Sequence, residues 1–138
     1  MSDYEKYIKM GYYFNKTITD TTFKEAVEKT TQALKKEGFG ILTEIDIKTT
    51  LKKKLEVNFP NYIILGACNP PFAHKALQVE DKIGTMLPCN VIVREIANSS
   101  VEIAAVNPIA SMMAIKNEAL TGIAEEVRDK LKKAINSL

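Results

Sequence analysis

Tyr62-Ile63-Ile64-Leu65-Gly66-Ala67-Cys68 runs straight into Asn69-Pro70-Pro71, and this junction decides the fold. The first seven residues are an unbroken apolar run, too short for a core helix and rich in strand formers. They read as a strand buried on both faces. Asn69 then supplies an N-cap and Pro70 the first helical position, where a missing N–H costs nothing. Phe72, Ala73, Ala76 and Leu77 give that helix one apolar side.

Upstream, Tyr12, Phe14 and Ile18 alternate with polar neighbours, a strand over about 11–18, and the residues before Met10 read as a frayed extension. Thr22-Phe-Lys-Glu25 matches a capping box and opens a long amphipathic helix that Gly38 ends. Phe39, Ile41, Thr43 and Ile45 share one face of a strand over about 39–46. Asp46 caps a short helix with Ile47, Leu51 and Leu55 in one stripe, and Pro60 bars its continuation.

Downstream, Cys89, Val91 and Val93 alternate in a strand whose hairpin partner carries Val101, Ile103 and Ala105, turned by Asn98-Ser-Ser. Asn107-Pro108 starts a short helical turn through Met112 and Met113, apolar all round. Asn117 caps a last helix with Leu120, Ile123, Val127, Leu131 and Ile135 on one face, and Glu126 with Lys130 forms an i, i+4 pair. The expected class is α+β: a mainly antiparallel sheet of about five strands, two long helices on one face, and short inserted helices. Residues 11–138 make one domain behind an extension over 1–10.

The chain has 138 residues, 46% hydrophobic and 26% charged, which excludes disorder and fibre. Its net charge of +2 argues for neither a nucleic-acid partner nor a membrane partner. No apolar run approaches the roughly 18 residues of a span, and the N-terminal residues lack the apolar core of a signal peptide, so a cytoplasmic protein is expected. There the two cysteines stay thiols.

Cys68 is the leading site candidate. It ends a strand and precedes a helix N-terminus, whose open N–H groups and positive end would favour a thiolate. The plainer and favoured reading is a small buried hydrophobe. If the strands of Cys68 and Cys89 are antiparallel neighbours, both thiols sit at one end of the sheet, with Asn69 and Asn90 adding amides. Capping and turn roles for the asparagines are favoured over ligand contacts. His74, the only histidine, points away from its helix's apolar face. It is therefore a weak metal candidate with Cys68 and Cys89, and a solvated residue is favoured. Lys48, Lys52, Lys53 and Lys54 could receive an anion, with Lys52 kept as a ligand candidate, though such a run is usually a wet face. Met112 and Met113 suit a core, an interface or a pocket wall. Glu44 and Asp46 share a strand side without a visible acid/base partner. No phosphate-binding glycine loop, zinc-protease motif, C-x-x-C or nucleophile elbow occurs.

Leu65-Gly-Ala-Cys-Asn-Pro70 and Leu87-Pro-Cys-Asn-Val91, with Phe39-Gly-Ile-Leu-Thr-Glu-Ile-Asp46, Leu51-Lys-Lys-Lys-Leu55, Ala76-Leu77 and Ile83-Gly84, carry a family likeness. From about Tyr12 onward the chain resembles the domain of unknown function 302 family. The resemblance implies a TATA-binding-protein-like α+β fold and a homodimer, and assigns no general activity. Asn107-Pro108 stands where relatives often have Asp-Pro, which weakens an acid/base role there, and relatives often have an aromatic residue at the place of His74.

The first functional expectation is a non-enzymatic ligand-binding or interaction module acting as a homodimer, with ligand contacts at Cys68, Asn69, Pro70, Cys89, Asn90 and Lys52. The alternative is a thiol-based redox or metal/haem-handling protein using Cys68 and Cys89. An enzyme working at the Cys68-Asn69-Pro70 turn ranks third, and no particular cofactor or substrate is indicated.

Overall fold

The computed structural model describes residues 11–138. The expected extension over 1–10 lies outside them. In chain order the elements are β1 (Tyr13–Thr19), α1 (Phe23–Lys36), β2 (Gly40–Asp46), α2 (Ile47–Leu55), β3 (Tyr62–Cys68), α3 (Pro70–Val79), a 3-10 turn (Ile83–Met86), β4 (Cys89–Ala97), β5 (Ser100–Val106), α4 (Pro108–Ser111) and α5 (Glu118–Asn136). The strands form one five-stranded sheet in the order β1-β5-β4-β3-β2, antiparallel throughout. The α+β class is therefore as expected. No helix among the described residues is long and apolar enough to cross a membrane.

Local chemistry sets the boundaries. The Thr22 hydroxyl accepts from the Glu25 N–H at 3.1 Å, and the Asp46 carboxylate accepts from Thr49 N–H at 3.0 Å. The end of α1 is a Schellman turn. Gly38, at φ 87°, donates to Lys35 O, and Phe39 donates to Leu34 O, each at 3.0 Å. Asn117 starts α5 by accepting from Ala119 N–H at 3.1 Å, and its amide donates to Val79 O at 2.8 Å. That second bond ties the start of α5 to the end of α3.

The two long helices cover one face of the sheet. Ala26, Ala33 and Leu34 of α1 join Val127, Leu131, Ala134 and Ile135 of α5 in one cluster with Leu65, Val91, Val93, Val101, Ile103 and Ala105. Most of these strand residues alternate with exposed or half-buried neighbours, as a one-sided sheet requires, though Gly66 and Ala104 on the other face are buried too. The opposite face carries Tyr62, Ile64 and Ile92, all half-buried, beside an ion pair between Arg94 and Glu102. The Asn15 amide donates to Glu102 at 2.7 Å and holds its carboxyl below the ordinary value; partial burial opposes this, and Arg94 at 2.6 Å adds to it.

Two expectations are corrected. β3 is fully buried only over Leu65, Gly66 and Ala67, and its first three residues, Tyr62, Ile63 and Ile64, are half-buried. Glu126 and Lys130 form no ion pair; the Lys130 ammonium lies 6.0 Å from the centroid of the Phe72 ring, drawn by packing between α5 and α3. α2 spans the expected stripe and ends at Leu55, where Glu56 turns left-handed at φ 57°.

Candidate functional site

The end of β3 meets the start of β4 in register. Ala67 pairs with Cys89, so Cys68 and Cys89 lie at the same end of the sheet, as the antiparallel reading requires, although Cys68 follows Ala67 and by strand alternation leaves the sheet on the opposite face from Cys89. α3 leaves from that end, and α5 passes beneath. Between them lies a cavity of about 320 Å³. Its wall includes Phe39, Cys68, Asn69, Phe72, Cys89 and Met112, with Val127 of α5 below. Ala73, Ala76 and Leu77 bring the whole apolar side of α3 to it. No charged side chain lines it.

Asn69 is buried, but not as a capping side chain. It makes no cap bond to α3; instead its amide donates to Glu37 O at 3.1 Å. The bond spends the Asn69 donor on the carbonyl end of α1 and fixes the α1 terminus against the mouth of α3. Gly38 permits this twice over. Its φ is positive, and a Cβ there would stand 3.0 Å from the Asn69 nitrogen.

Both cysteines are free thiols. Burial, and after it the charge of Cys68, pushes the Cys89 thiol from its ordinary 9.0 up to about 11. At neutral pH Cys89 is therefore protonated, the opposite of an activated nucleophile. The unfolded chain releases this proton near 9.0 and the folded chain near 11, so the folded state binds more protons between them. Its stabilising contribution is fully present below about pH 9 and lost as pH rises through about 11, a loss of about 2 kcal/mol by pH 11. Urea unfolding of the parent and Cys89→Ala at pH 8 and pH 11 measures it. The parent is expected to lose about 2 kcal/mol more than the variant, and parallel losses would contradict the shift.

The other candidates stand elsewhere. Pro70 occupies the first turn of α3 and is exposed, outside the cavity wall. Asn90 follows Cys89 in β4 and so faces the opposite side of the sheet, exposed. Lys52 lies on α2, where its ammonium donates to Asn58 Oδ1 at 3.3 Å. His74 is exposed on α3 and does not reach the cavity. Among the described residues no three His, Cys, Asp or Glu side chains gather to hold a metal ion.

Phe39 is the largest of the wall residues that sequence reading does not place at the site, Leu42, Leu87 and Pro88 among them. Its alternation with Ile41 places it on a strand face, whereas it sits at the Schellman turn before β2. The signal was Gly38: a glycine C′ is commonly followed by an apolar residue packing back onto the helix. A second, open depression of about 1450 Å³ runs along α1 and takes in Glu44, Asp46 and Lys133, away from both thiols.

Comparison with known proteins follows this geometry. The family model for a domain of unknown function, DUF302, matches residues 14–138. The crystal structure of an uncharacterized conserved DUF302 protein from Bacillus stearothermophilus aligns with a TM-score of 0.82 at 26% identity, covering 91% of this chain and 96% of that one. No curated protein matches the chain.

Proposed function

The chain belongs to the DUF302 family, a domain of unknown function, and from that premise we propose that it is a non-enzymatic module that holds a small uncharged apolar molecule in the cavity at Cys68, Asn69 and Cys89. One observation carries the reading: about 320 Å³ of space walled by apolar side chains and thiols, with no charge to receive an ion. The volume falls within the ordinary range of small-molecule sites. Apolar surface on both partners leaves water on binding, and the Asn69 carbonyl oxygen remains as an orienting acceptor.

Thermal unfolding with indole, and separately with indole carboxylate, tests this. Ligand at about a hundredfold over its Kd is expected to stabilise the folded state by about 2.7 kcal/mol. The neutral probe should raise the midpoint and the anion should not. Ala73→Phe, which fills the cavity from α3, should remove the effect. A neutral probe without effect on the parent, or an equal effect on the variant, contradicts the reading.

The same proposal includes a homodimer in a reducing, cytoplasmic setting. A second copy would cover the sheet face where Tyr62, Ile64 and Ile92 remain half-buried. Sedimentation that finds a monomer at high micromolar concentration removes it. The thiol redox or metal/haem alternative is supported by the adjacency of Cys68 and Cys89, and the protonated state of Cys89 counts against it.

A further inference from the structure

The fold covers one amphipathic element only in part: α2 rests on β2 and β3 with Ile47 and Leu51 half-buried. Ile47, Leu51 and Leu55 form a stripe on α2, yet no residue of this helix is buried. Leu55 is 65% exposed, and just beyond it Val57 and Phe59 are 43% and 38% exposed. Exposed apolar side chains grouped beside one another and rimmed by polar residues mark an interaction surface.

Charge identifies the cover. α2 carries Lys48, Lys52, Lys53 and Lys54 and no acidic residue; Glu56 is the single acid between Ile47 and Phe59. At 100° per residue, Lys54 borders the stripe on one side and Lys48 and Lys52 on the other. All four ammonium groups belong to exposed residues. The surface is also held in shape. Lys52 bonds Asn58, fastening the following loop to the helix. The Phe59 ring meets Tyr62 edge-on, with centroids 6.1 Å apart.

We infer that α2 and the loop through Phe59 dock on an anionic lipid surface. Leu55, Val57 and Phe59 enter the boundary between headgroups and acyl chains, while the flanking lysines keep their heads among the phosphates. A second copy of this chain fits the patch poorly, because a two-fold axis there would bring two lysine clusters together. The patch is separate from the cavity, so this inference stands whether or not the cavity binds a ligand.

The test uses the full chain and co-sedimentation with vesicles of phosphatidylcholine alone, or with about one-third phosphatidylserine. Binding is expected only to the anionic vesicles, and weaker in about 0.5 M salt. Lys52→Glu with Lys54→Glu should weaken it by at least about thirtyfold. Leu55→Ser with Phe59→Ser should weaken it comparably. The unfolding midpoint, read in parallel, should hold in both variants, because none of these side chains is buried. Absence of binding, equal binding to both vesicles, or a dimer in solution that Leu55→Ser with Phe59→Ser dissociates would each overturn the inference.

Discussion

Phe39→Ala is expected to lower the unfolding free energy by about 3–5 kcal/mol, the largest effect of any single substitution considered for this chain. Phe39 is 1% exposed and belongs to the main core cluster with Leu34, Leu65 and Val127. It also walls the cavity. The alanine variant loses the transfer energy of the ring and leaves a larger void beside an existing one. The backbone turn does not relax to close it, because Phe39 N–H remains bonded to Leu34 O and Gly38 remains under Asn69. For a domain whose total stability is of order 5–15 kcal/mol, the loss lowers the melting midpoint by about 10–20 °C. Urea and thermal unfolding measure it, with Leu55→Ala as the control. Leu55 lies in an equally regular stripe, but it is 65% exposed, so its removal should change stability by less than about 0.5 kcal/mol. Comparable losses in both variants would mean that the described packing is wrong.

The contrast between these two residues shows what the sequence could carry. Signals read between near neighbours appear in the structure: the Thr22, Asp46 and Asn117 caps, the Gly38 stop, and the alternation of Val91 and Val93 with their neighbours. Each depends on groups within a few positions of one another. The stripe of α2 and the stripe of α5 follow the same periodic rule, yet only the second is buried. Periodicity says which side of a helix is apolar and nothing about what lies opposite. Asn69 fails in the same way. Its place before Pro70 suits a cap, but the α1 carbonyl that captures its amide is 32 residues away.

At the candidate site, the adjacency of Cys68 and Cys89 was legible because antiparallel neighbours joined through α3 must return to the same end. The misplaced Asn90 was legible too, since consecutive strand residues face opposite sides. Pairing it with Cys89 as one site set that rule aside. The cavity itself was not readable, because its wall is drawn from residues as distant as Phe39 and Val127.

Gly66→Ala is the second large effect, expected to destabilise by about 3 kcal/mol, at the upper end of overpacking costs. Gly66 lies mid-strand in β3, between Thr43 of β2 and Asn90 of β4. Glycine in a strand interior weakens it by entropy, so a close approach must justify it. Here a Cβ would overlap Thr43 Oγ1 outright and stand 2.8 Å from Pro88 Cγ. The threonine can turn its hydroxyl away, but the proline ring cannot rotate, so the strain reaches the β3–β4 junction that carries both thiols. Thr43→Ala removes the hydroxyl and leaves the Pro88 contact untouched. Gly66→Ala with Thr43→Ala should therefore recover about half of the loss, giving a favourable coupling of at least about 1 kcal/mol in a double-mutant cycle. The cavity lies against Pro88 and Cys89, so the single variant should also weaken neutral-probe binding more than the double variant does. A Gly66→Ala protein within about 0.5 kcal/mol of the parent would show that no close approach exists at this position. Full recovery in the double variant would assign the whole strain to Thr43 and leave the β3–β4 junction free of it.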